Sequence, residues 1–137
     1  MRFSPLIALA VIGMVSAGAA QAAPTQNRMA KTPQDRLAKA LEGRVAGTPV
    51  DCIQQSQIQS SQIIDRTAII YQIGRTLYVN TPKSGANFLD SGDILVTDTH
   101  SPQLCSIDIV RLVDQGTRFP SGSVGLDKFV PYTKPKG

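Results

Sequence analysis

SSQIIDRTAIIYQIGRTLYVNTP, residues 60 to 82, is dense in β-branched and aromatic residues and holds almost no reactive side chain. Apolar and polar residues alternate along it, the spacing of strands rather than of a helix. Ser60 to Ile64 reads as a strand, Asp65-Arg66 as a turn, and Thr67 to Ile73 as a second strand. Gly74-Arg75 suits a two-residue hairpin with glycine first, and Thr76 to Asn80 is the return. That turn sets Gln72 opposite Leu77, Tyr71 opposite Tyr78 and Ile70 opposite Val79. One face then carries Ala68, Ile70, Leu77 and Val79, and the other carries Ile69, Tyr71, Ile73 and Tyr78. Two apolar faces cannot both meet water. The sheet must curl, close or lie under a helix.

Downstream, Thr81 to Ser91 reads as a loop, Asp93 to Thr99 as a strand, and His100-Ser101-Pro102 as a turn. Leu104 to Val110 alternates, which predicts a strand with Cys105, Ile107 and Ile109 on its apolar face. Pro120, Gly122 and Gly125 read as a loosened stretch before a last short strand near Leu126 to Val130, and the tail PYTKPKG as frayed. Upstream, TPQDRLAKALEG predicts a helix over residues 32 to 43. Thr32 can cap it, Pro33 suits its first turn, Asp35 suits its dipole, and Gly43 can end it. Leu37 and Leu41 form a narrow apolar stripe, fitting a helix docked on a sheet or a loosely held arm. The pattern predicts an α+β chain that is mostly β: one short N-terminal helix, then a small antiparallel sheet or partly open barrel.

Residues 1 to 22 read as a secretory leader. Arg2 supplies positive charge, Leu6 to Val15 an apolar run, and Ala20-Gln21-Ala22 a cleavage site. The apolar run is too short and too broken by Gly13, Ser16 and Gly18 to anchor in a bilayer. The sequence therefore predicts a periplasmic or secreted chain, cut after Ala22, with no stable membrane insertion. Residues 23 to 31 form a flexible lead, 45 to 133 the β-rich domain, and 134 to 137 a disordered tail. After the cut, residues 23 to 44 hold five basic groups against two acidic ones, and the remainder is balanced. That body lacks the basic face with aromatics beside it that nucleic-acid binding needs, so nucleic acid is set aside.

An oxidising compartment and an even cysteine count predict a Cys52–Cys105 disulfide. Closing so long a loop stabilises the fold by about 4 kcal/mol in the chain-entropy model. Several segments together have a family look: Cys52-Ile53, Ile58-x-Ser60, Ile63-Ile64-Asp65, Gly74-x-x-Leu77-Tyr78-Val79-Asn80, Gln103-Leu104-Cys105 and Phe129-x-Pro131-Tyr132. Over roughly residues 45 to 133 the chain resembles a family of small, exported, uncharacterised proteins of Gram-negative bacteria. The resemblance implies a signal peptide, a cysteine framework and a run of β-strands, and it supplies no catalytic residue. Many of those proteins carry a further cysteine after the Asn80 region, where this chain reads TPKSGANFLD.

Reactive chemistry is sparse. Phe88-Leu89-Asp90-Ser91-Gly92 resembles the active-site loop of retroviral-type aspartic proteases, in which a dimer joins two aspartates. The loop comes late in the chain, however, and charged Asp93 follows it where a small residue is usual. A turn shaped by Asp90 and Gly92 is the better account. His100, beside Asp98 and Ser101, reads as a solvated turn residue. With one histidine and no close cysteine spacing, no metal site or cofactor is predicted.

Uncharged polar residues cluster in CIQQSQIQSSQ, where Gln55, Gln57 and Gln59 form a possible binding surface for a protein or a small polar ligand. Tyr71 and Tyr78 form a second, provided their face is uncovered. The sequence favours a non-catalytic binding or structural module of the periplasm. Two alternatives are an inhibitor that plugs an envelope or foreign enzyme with loop 81 to 92, and a dimeric aspartic protease using Asp90.

Overall fold

The computed structural model describes residues 31–136. The predicted leader, its predicted cleavage site and nearly all of the predicted lead lie outside the described residues. The elements are α1 (Pro33–Ala40), β1 (Val45–Ala46), β2 (Cys52–Gln54), β3 (Ser60–Ile64), β4 (Ala68–Ile73), β5 (Thr76–Asn80), β6 (Asp93–Thr97), β7 (Gln103–Cys105), β8 (Ile109–Asp114), β9 (Pro120–Gly125) and β10 (Phe129–Thr133). They form three antiparallel sheets, ordered β1-β10-β5-β4-β3, β2-β7 and β6-β8-β9. None closes into a barrel.

The β3-β4-β5 meander follows its sequence closely. Arg66, at φ 52°, turns the chain between β3 and β4, and Gly74, at φ 60°, turns it between β4 and β5. The register pairs Ile70 with Val79, Tyr71 with Tyr78 and Gln72 with Leu77. Each face of this sheet finds a cover. Ile64, Ala68, Ile70 and Val79 pack with Leu37, Ala40 and Leu41 of the α1 segment, joined by Leu77 and Tyr132. Ile63, Ile69 and Tyr71 pack the other way against Leu104, Val110, Leu112, Val124, Leu126 and Phe129. Complete burial of an Ile or Leu side chain is worth about 1.5–3 kcal/mol, so these two layers are the main source of stability.

The helix is shorter than its sequence predicts. Thr32 stays outside as the cap, accepting from the Asp35 N–H while Asp35 accepts from the Thr32 N–H. The helix ends at Ala40 because Leu41 takes a non-helical φ of −98°. Leu41 to Gly43 is a turn, with Gly43 at φ 74°.

Three further corrections fall in the C-terminal half. Leu104 to Val110 is not one strand. The chain changes sheets there, and a tight turn closes where Asp108 accepts from the Cys105 N–H (2.7 Å) and donates its own N–H to the Cys105 carbonyl (3.0 Å). Leu104, Val110 and Leu112 point inward, while Ile107 and Ile109 are 81% and 63% exposed. Cys105 is half-buried rather than fully buried.

Residues 120 to 125 are not a loosened stretch but β9, the outer strand of its sheet, where a proline costs no ladder bond. Gly122 lets Phe88 lie against the strand, since a Cβ there would sit 2.8 Å from the Phe88 Cβ. The last strand lies later than the predicted 126 to 130, and residues 131 to 133 of PYTKPKG are not frayed, because β10 runs from Phe129 to Thr133 between β1 and β5. The Pro131 carbonyl accepts from Gly47 (2.7 Å), so its missing N–H lies on the β1 side and removes no bond to β5.

Cys52 and Cys105 are joined by a disulfide, and they also face each other in the β2-β7 ladder. No described helix is long and apolar enough to cross a membrane.

Candidate functional site

The residues singled out in the sequence do not assemble into one surface. Tyr71 is 3% exposed, edge-on to Phe129, and burial pushes its hydroxyl pKa up. Tyr78 packs half-buried against the same core. Gln55 is committed internally: its side chain donates to the Thr99 hydroxyl and to the Gln103 carbonyl (3.4 Å). Gln57 and Gln59 are exposed, and the Gln59 N–H donates to the Gln72 carbonyl (2.8 Å). Asp90 is exposed, with a carboxylate that accepts from the Gly92 N–H (2.7 Å) and shapes its own turn. Loop 81 to 92 is held down rather than projecting, since Ser84 bridges to Gly125 and Leu89 is buried. Among the described residues, no three His, Cys, Asp or Glu side chains gather as a metal site requires.

A different site emerges where the helical cover of the five-stranded sheet runs out. Beyond Ala40 the chain turns into β1, carrying Arg44 over the end of β5 and β10. Arg44 donates from Nη1 to the carbonyl oxygens of Arg75 (2.7 Å) and Tyr132 (3.3 Å). Those two bonds orient its guanidinium, and among the described residues its other N–H groups have no protein acceptor. Arg75 occupies the β4-β5 hairpin. The register that pairs Tyr132 with Leu77 carries Lys134 to the level of Arg75.

Together Arg44, Arg75, Lys134 and Lys136 line a cleft of about 540 Å³, completed by Gln72, Gly74, Thr133 and Pro135. Four lining side chains are cationic and none is acidic. A cleft lined by one sign of charge focuses its field and concentrates ions of the opposite sign. Its guanidinium and ammonium groups only donate, and beside them lie a side-chain amide and a hydroxyl that can both donate and accept.

The second hollow, about 450 Å³, lies between the outer strands β3 and β6 and is lined by Arg36, Ser61, Gln62, Ile63, Ser91, Asp93, Ile94, Leu95 and Gln115. Here the charge is neutralised. Arg36 pairs with Asp65, which also accepts from the Ser91 N–H (2.6 Å). Burial raises the Asp65 pKa, but the hydrogen bonds from Arg36 and Ser91 outweigh it and hold the carboxyl below its usual range.

Comparison of the chain with family models, with curated proteins and with solved structures found no match. Sequence inspection misses the cleft because its cations come from a turn after the helix, a hairpin and the tail. The detectable signal was the lysine pair in TKPKG, once β10 is recognised as running to Thr133.

Proposed function

We propose that this protein is an exported, non-catalytic binding module of the periplasm of a Gram-negative bacterium, and that its basic cleft takes an anionic ligand. The observation that carries the reading is the convergence of Arg44, Arg75, Lys134 and Lys136 on one hollow with no acidic group in its lining. Gathering like charges costs folding free energy unless something else compensates, and a bound anion is such a compensation. Export is supported by the leader-like residues 1 to 22 and by the disulfide, which persists in an oxidising compartment.

Thermal unfolding of the chain from residue 23 onward, with and without multivalent anions, tests the reading. A ligand that binds only the folded state raises the melting temperature, and the rise grows with the logarithm of ligand concentration once that exceeds Kd. Stabilisation should occur in the parent protein and vanish in the Arg75→Glu, Lys134→Glu double variant. The ligand should be recovered chemically unchanged after long incubation. Equal stabilisation of both proteins, or turnover abolished by one side-chain change, contradicts the proposal.

A further inference from the structure

Resting on the anion-binding reading above, we propose that the ligand of this cleft is a phosphorylated polyol or sugar, free or as a lipid headgroup. Three observations narrow the class. First, the lining offers four positive charges, two of them on arginine, whose planar fork matches the oxygens of a phosphate. A doubly charged phosphate ester uses that surplus better than a single carboxylate does. Arg44 is held in place beforehand by the Arg75 and Tyr132 carbonyls, so little side-chain entropy is lost when it engages.

Second, the cleft is larger than an inorganic ion needs. About 540 Å³ lies within the roughly 300–1,000 Å³ of small-molecule sites. The phosphate therefore arrives attached to an organic body. Third, the rest of the lining describes that body. The exposed Thr133 hydroxyl can pair with a hydroxyl group. The Gln72 amide, which accepts from the Ser60 hydroxyl (3.2 Å) and donates to the Gly74 carbonyl (3.4 Å), keeps one N–H and one lone pair for another. No aromatic ring lines the cleft on which a nucleobase could stack. Polyol and sugar phosphates satisfy both conditions.

The experiment uses the full chain from residue 23 and compares sn-glycerol 3-phosphate and glucose 6-phosphate with citrate and glycerate by isothermal titration calorimetry. The phosphates should bind at least tenfold more tightly than the carboxylates, and Arg75→Glu with Lys134→Glu should abolish the heat. Arg75→Gln serves if the double variant fails to fold, and it should weaken phosphate binding several-fold. Arg111→Gln, on the three-stranded sheet, should leave it unchanged. Flotation with phosphatidylglycerol vesicles, against phosphatidylcholine vesicles, assigns the source. Competition by free glycerol phosphate identifies a lipid headgroup, and binding of the free esters without flotation identifies a soluble ligand. Carboxylates binding as tightly as phosphates overturns this inference and leaves the anion-binding reading standing. No binding of any anion overturns both.

Discussion

Two hollows on this surface contain the same kind of cation in opposite circumstances. In the groove between β3 and β6, Arg36 meets a carboxylate, and that carboxylate is also tied to the backbone of Ser91. In the cleft beyond α1, Arg44 bonds to two carbonyl oxygens and shares the lining with three further cations and no acidic group. The first arrangement joins α1 to the β3-β4 turn and to the loop before β6, so it belongs to the architecture. The second neutralises nothing. A polar group whose partners lie inside the molecule holds the fold, whereas a set of like charges without partners is available to something outside it.

That contrast can be broken in graded ways. The largest effect should come from the frame that both hollows share. Replacing Cys52 and Cys105 together by alanine should lower stability by about 4 kcal/mol, given the 53-residue separation, and urea unfolding measures it. A smaller effect is expected in the groove. The Asp65 pKa is depressed in the folded state, so its contribution is present above the unfolded value and is lost as pH falls through the depressed one. Asp65→Asn should flatten the loss of stability below about pH 4, by less than about 1 kcal/mol because the pair is partly solvated. The smallest effect belongs to the cleft. Arg75→Glu should change stability by no more than about 0.5 kcal/mol, since its charge has no partner to lose. A large destabilisation there would place the cleft with the architecture and erase the contrast.

How much of this was legible depended on where the chain stays in one sheet. The β3-β4-β5 meander could be read to the residue pair, because Gly74 fixes the hairpin and both alternating faces are apolar. From Leu104 onward the same reading misleads. Leu104, Val110 and Leu112 compete with Cys105, Ile107 and Ile109 for the core, and period two alone cannot choose between them. The choice is made by the turn at Asp108, which moves the chain from one sheet to another. Pro120, Gly122 and Gly125 suggest a break, but their roles depend on the edge position of β9 and on Phe88 and Ser84 lying against it. Those contacts are long-range, and no local pattern announces them. Tyr71 was visible as a strand aromatic, but whether it faced solvent depended on β8 and β9, which were not read as strands. The cleft was hidden for the same reason, as its four cations become neighbours only when β10 pairs with β5.

The most direct measurement is a map of backbone amide shifts in the isotope-labelled chain as glycerol phosphate is added. The account predicts that the largest changes fall on Arg44, Gly74, Arg75, Thr133 and Lys134, while Ser61, Gln62 and Gln115 of the neutralised groove stay still. Changes centred on the groove, or spread evenly over every exposed lysine and arginine, would contradict it.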